Sequence, residues 1–191
     1  MQKDMNRAIP CYVGGKGMYA TATTREFKVA VIGLLEESGL GYDTRYRYYR
    51  RQFPAMEPQQ LARMICDPIE IFDRDWPNWR AAQAPSRGEA ELITAFFLER
   101  DARFRDEAQA AIYCFDEAGF GSGVNVMRFI GAGKPILGFY RRDPAERRVN
   151  VGNFLQLHMD YPTLVTVRAY QTPDDILSEA RRWLAALPAP R

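Results

Sequence analysis

Residues 111–140 constrain the fold more than any other part of the chain. An apolar run, Ala111-Ile112-Tyr113-Cys114-Phe115, ends in Asp116-Glu117 and enters a turn with glycine at 119, 121 and 123. A helix-like apolar segment then leads to Gly133-Lys134-Pro135 and a second apolar run, Ile136 to Tyr140. Strand, Gly-rich turn, helix and strand in this order form the repeating unit of a parallel α/β sheet. In such sheets ligands sit outside the carboxyl ends of the strands, so the turn at 119–123 marks where a ligand is expected.

A similar unit opens the chain. Ile9 to Val13 reads as a strand ending in Gly14-Gly15-Lys16-Gly17, and a helix follows from about Thr24 to Ser38, with Phe27, Val31, Leu34 and Leu35 on one face. Gly39-Leu40-Gly41 stops it. Two Gly-rich loops after two parallel strands fall on one edge of the sheet, where glycine lets backbone N–H groups approach a ligand. Further helices are expected at Glu89–Phe104 and at 151–158. Leu164 to Val167 reads as a last strand. Thr172-Pro173-Asp174-Asp175 carries a capping hydroxyl, an early proline and two acids, and starts a helix running to about Leu187. Residues 1–8 are polar and expected to fray. Residues 42–90, punctuated by Pro54, Pro58, Pro68 and Pro77, read as an irregular insertion or lid within one domain spanning 1–191. Within it a short helix is expected in Met56–Met64 and a strand at Ile69–Phe72.

Charge excludes several function classes. With 26 basic and 24 acidic residues the net charge is +2, too balanced for a polymeric nucleic acid or a membrane surface as partner. No segment approaches the roughly 18 apolar residues of a membrane span, and a cytoplasmic protein is expected. The three cysteines, Cys11, Cys66 and Cys114, are widely spaced, and His158 is the single histidine. A zinc site or disulfide framework is therefore not expected, and no cofactor is. A Cys–His or Ser–His pair could use only His158.

Tyr42 to Arg51 holds four arginines and four tyrosines. The ordinary reading is an amphipathic surface segment or protein contact, with arginine stems lying along tyrosine rings. The functional one is a platform for anions and bases. Asp101, Asp106, Asp116 and Glu117 flank the second glycine loop, and paired carboxylates are the usual means of breaking a glycosidic bond. Asp116 stands out because it ends an apolar strand at the expected site.

Three stretches carry a resemblance. Pro10-Cys11-Tyr12-Val13-Gly14-Gly15, the run from Asp101 to Gly133-Lys134-Pro135, and Val149-Asn150-Val151 together resemble the nucleoside 2-deoxyribosyltransferase family and its nucleotide N-glycosidase relatives. The resemblance implies a flavodoxin-like, doubly wound, mostly parallel five-stranded sheet with helices on both faces, in a homo-oligomer. It implies a small-molecule nucleoside or nucleotide as partner, bound by Tyr12, Gly14, Gly15, Asp101, Gly121, Ser122, Gly123, Asn125 and Asn150. Asp101 matches the family's base-contacting aspartate. The family's nucleophilic glutamate, nine residues before the lysine of Gly-Lys-Pro, is Asn125 here, and its sugar-binding aspartate is Gly119. A neutral amide is a poor nucleophile, although it can still hydrogen-bond ribose hydroxyls. N-glycosidic cleavage or transfer would then need a substitute carboxylate, for which Asp116 and Glu117 are the candidates. The alternatives are a catalytically inactive nucleotide-binding sensor and a protein-interaction module built on the 42–51 segment.

Overall fold

The computed structural model describes residues 8–17, 20–83, 88–142 and 149–188. Five strands, β1 (Ile9–Gly14), β2 (Gly41–Asp43), β3 (Ala110–Cys114), β4 (Ile136–Arg141) and β5 (Val165–Tyr170), pair in the order β2-β1-β3-β4-β5. Every pairing is parallel. β1 and β3 are buried along their whole length, as near-continuous apolar runs in a sheet covered on both faces should be. The helices are α1 (Ala22–Ser38), α2 (Thr44–Gln52), α3 (Pro58–Cys66), α4 (Pro68–Ala81), α5 (Glu89–Glu107), α6 (Phe120–Gly131), α7 (Val149–Asp160) and α8 (Pro173–Ala186).

The chain steps outward from β1 to β2, then returns past β1 to β3 and steps the other way to β4 and β5. Right-handed crossovers put helices made on the outward and the return steps on opposite faces. α1 packs against α8 on one face, while α5, α6 and α7 contact β1, β4 and β5. This is the flavodoxin-like, doubly wound α/β fold. The sheet is entirely parallel where the sequence suggested mostly parallel.

The chain from 42 onward corrects the sequence reading most. It is not irregular: it supplies the edge strand β2 and the helices α2, α3 and α4. Ile69–Phe72 is not a strand but the first turns of α4. Asp67 accepts the Ile69 N–H at 2.9 Å as N-cap and Pro68 occupies the first turn, a start signal that outweighs the β-like composition of a short apolar run. At the other end of the chain, Thr172 and Asp175 form a reciprocal capping box at α8. Gly133 ends α6 with φ +66°, and the Lys134 ammonium donates to the carbonyls of Arg105 and Asp106 at the end of α5. Gly133-Lys134-Pro135 is thus a structural joint between two helices and β4.

The core is strongly aromatic around β3. Phe115 stacks on Phe154 with ring centroids 3.8 Å apart, and Gly138 in β4 is the residue that admits the Phe115 ring, because a Cβ there would overlap it. Gly138→Ala is expected to destabilise the protein by about 1–3 kcal/mol through overpacking, read as a lower urea midpoint at unchanged slope. An unchanged midpoint would show that the ring relocates without strain.

Candidate functional site

The direction of winding reverses between β1 and β3, so their carboxyl ends cannot both be roofed by the same crossover, and a crevice opens there. The register sets Gly14 beside Tyr113 and brings the two strand ends level. A cleft of about 520 Å³ lies at this point. One wall is the loop after β1, Gly14 to Gly17, with Tyr12 beneath. A second is the turn of α5 carrying Phe97, Leu98, Arg100, Asp101 and Arg105. A third is the start of α6 with Gly119, Phe120, Gly121, Ser122, Val124, Asn125 and Arg128. Lys28, Arg45, Ile65 and Cys66 complete it. Among the described residues, six cations, Lys16, Lys28, Arg45, Arg100, Arg105 and Arg128, face this space with one carboxylate, Asp101.

Arg45 is placed by Asp43, the last residue of β2, which is fully buried. The Asp43 carboxylate accepts the backbone N–H groups of Arg45 and Tyr46 at 3.0 Å each, capping α2, and the N–H of Val13 at 3.0 Å, tying it to β1. It also accepts the Arg45 guanidinium, Nη2 at 3.1 Å. The guanidinium donates in turn to the Val13 carbonyl and lies 4.8 Å from the Tyr12 ring centroid. Burial pushes the Tyr12 hydroxyl up to about 12, so it stays protonated as a donor.

Lys28 projects from α1 and is 3 % exposed, yet lines the cleft. Its ammonium donates to the Lys16 carbonyl at 2.5 Å and so holds the loop after β1. Burial pulls it down to about 8, with the Arg45 charge acting in the same direction. Gly15 makes room for this arrangement: at φ +141° it adopts a conformation foreign to L side chains, and a Cβ would lie 3.2 Å from the Cys114 carbonyl and 3.4 Å from Lys28 Cε. On the far wall Arg105 donates to Asn125 Oδ1 at 2.8 Å, and Arg100 donates to Asp101 at 3.2 Å.

Of the residues expected to bind substrate, Tyr12, Gly14, Gly15, Asp101, Gly121, Ser122 and Asn125 line this one cleft. Gly123 does not line it, and the side chain of Asn150, in the first turn of α7, lies outside the described residues. The two carboxylates expected to be catalytic stand elsewhere. Asp116, 7 % exposed, accepts the Arg141 N–H at 2.6 Å and the Tyr170 hydroxyl, bracing the end of β3 against β4 and β5. Glu117 accepts the Thr24 hydroxyl at 2.6 Å and the Thr21 hydroxyl and N–H at 2.8 and 3.0 Å, fastening the start of α1. Partial burial pushes the Glu117 carboxyl up, but these hydrogen bonds outweigh it and hold it below the ordinary glutamate value. Neither carboxylate lines the cleft, which counts against them as substitutes for the missing glutamate.

Among the described residues, neither the cysteines Cys66 and Cys114 nor His158 offers an activated nucleophile in their place. Burial pushes the Cys66 and Cys114 thiols up to about 11, so both stay protonated at neutral pH. His158 hydrogen-bonds the Val165 carbonyl through Nδ1 and does not line the cleft. Among the described residues no three histidine, cysteine or acidic side chains gather as metal ligands, and no helix is long and apolar enough to cross a membrane. The arginine–tyrosine run spans the end of β2 and α2: Arg47 lies 4.1 Å from the Tyr42 ring centroid, while Arg45 reaches the cleft. Sequence reasoning missed Lys28, Arg100, Arg105 and Arg128 as cleft residues, since single cations on helices carry no spacing signal.

No family model matches the chain, and no curated protein matches it.

Removing Asp43 should expose how much depends on it. Asp43→Ala leaves the Arg45 guanidinium buried without its counter-charge and three backbone N–H groups without an acceptor, and is expected to destabilise by about 3–5 kcal/mol. Urea unfolding measures this directly. A change under about 1 kcal/mol would mean that Arg45 swings into solvent and the pair is dispensable.

Proposed function

We propose that the chain binds a nucleotide in the cleft between β1 and β3 and holds it without breaking the N-glycosidic bond. The observation that carries this reading is the charge of the cleft, six cations against one carboxylate among the described residues. An anionic group, such as the phosphate of a nucleoside 5′-phosphate, answers that imbalance through charge-assisted hydrogen bonds. Asp101, beside Phe97 and Leu98 on α5, supplies the acceptor that would read donors on a base edge. The amide of Asn125 supplies a partner for a ribose hydroxyl.

The same charges argue against glycosidic cleavage. Departure of the base develops positive charge on the sugar, and that charge is favoured by a facing carboxylate. Here Asp101, the one carboxylate of the cleft among the described residues, is engaged by Arg100. The position of the family's nucleophile holds a neutral amide bonded to Arg105. A field of cations raises the barrier to an oxocarbenium ion while favouring a bound phosphate. The sensor reading therefore fits the geometry better than the enzyme reading.

Two measurements test it. Nucleoside 5′-monophosphates at about a hundred times Kd are expected to raise the melting temperature by roughly 5–10 °C, free nucleosides by clearly less, and Asp101→Ala is expected to weaken binding at least about tenfold. Prolonged incubation is expected to release no free base. Base release would establish an enzyme, and no shift with any nucleotide would end the nucleotide reading.

The pH dependence gives an independent check. Lys28 must be charged to hold an anion, and in the free protein it loses its proton near pH 8. Because the charged form is the one that binds, affinity is expected to be full below about 8 and to fall as pH rises through that value, by about tenfold between pH 7 and 9.5. Lys28→Met should bind more weakly at pH 7 and show no such fall. Isothermal titration at several pH values measures both, and a wild-type affinity constant across this range would remove Lys28 from the anion site.

A further inference from the structure

Phe120 is the most exposed large apolar side chain among the described residues, at 90 %. It is the first residue of α6, and it lines the cleft. An aromatic ring left in water loses the contact area that normally decides where aromatics go. The backbone on either side is open, since a Cβ at Gly119 or Gly121 would meet nothing within 4 Å. Across the cleft, Phe97 is half-buried and Leu98 is 51 % exposed. The cleft thus pairs its cations with an apolar rim that the phosphate, ribose and base-edge contacts do not use.

We infer that Phe120 is the base-stacking residue of the site, its ring packing on the planar face of the bound base with Phe97 and Leu98 forming the apolar wall around it. The inference rests on the nucleotide reading and adds to it a division of labour. Stacking is indifferent to base identity because every base has a π-face, so Phe120 supplies affinity for any base. Selection falls to Asp101 at the base edge.

The test compares the tightest-binding nucleoside 5′-monophosphate with ribose 5-phosphate, which keeps the phosphate and sugar but lacks a base. In calorimetric titrations, Phe120→Ala is expected to weaken the nucleotide about tenfold or more and to leave ribose 5-phosphate unchanged, while Phe120→Trp retains nucleotide affinity. Equal weakening of both ligands, or no weakening of the nucleotide, overturns the stacking role while leaving the nucleotide reading intact. Sedimentation of wild type and Phe120→Ala belongs to the same experiment. Loss of an oligomer with nucleotide affinity unchanged would make Phe120 a contact between copies of this chain. If wild type binds no nucleotide at all, both readings fail together. At 90 % exposure the substitution removes no core packing, so misfolding does not confound the comparison.

Discussion

The buried pair Asp43–Arg45 is the interaction on which the site depends. A carboxylate with no exposed surface survives only if its oxygens are fully engaged, and Asp43 is engaged by three backbone N–H groups and a guanidinium. Those partners come from the end of β1 and the start of α2, so one side chain fixes the edge strand, caps a helix and aims a cation. The pair sits at the carboxyl edge of the sheet. There the Val13 carbonyl, one residue before the end of β1, accepts a hydrogen bond from the same Arg45 Nη2 that pairs with Asp43. The charge that helps to define the cleft is therefore part of the fold, and the fold cannot be kept while that charge is discarded.

Around this fixed point the acids and bases divide by role. Asp43, Asp116 and Glu117 each end or follow a strand and each spends its oxygens on backbone and hydroxyl donors, joining β2 to β1, β3 to β4 and β5, and the loop after β3 to α1. Carboxylates satisfied in this way lock the strand ends but offer little to a ligand. The cations turn the other way. Lys28, Arg45, Arg100, Arg105 and Arg128 converge from α1, α2, α5 and α6, elements far apart in sequence. A winding reversal brings them together.

This explains what the sequence disclosed and what it withheld. The strand–glycine–helix units around Gly14 and Gly119 were legible because periodicity and glycine placement are local signals, and they located the cleft correctly. The helix start at Thr172 was legible for the same reason. Of the helices that follow β2, α3 was legible as the short helix expected in Met56–Met64, whereas α4 was not, since the stacked aromatics Phe72, Trp76 and Trp79 that pack along it against Phe96 and Phe97 resemble a β-rich composition when read in short windows. Asp116 looked reactive because it ends an apolar strand at the expected site. Sequence position cannot distinguish a carboxylate facing a ligand from one turned back onto Arg141 and Tyr170. The cationic lining was invisible for a different reason: Lys28 lies one residue from the core Phe27, on a helix whose pattern marks only its apolar face, and its approach to the loop after β1 depends on the room left by Gly15.

Asn125 takes its meaning from this lining. A glutamate at that position would stand beside Arg105 and pair with it, cancelling one cation and placing a second carboxylate in the cleft. The amide accepts one hydrogen bond from Arg105 at 2.8 Å and leaves the guanidinium charge uncancelled. Gly119, likewise, brings no acid to the turn that carries Phe120. Where the pattern the sequence resembles would carry two carboxylates, Gly119 and Asn125 bring no negative charge to this wall, which favours the proposed binding of an anion.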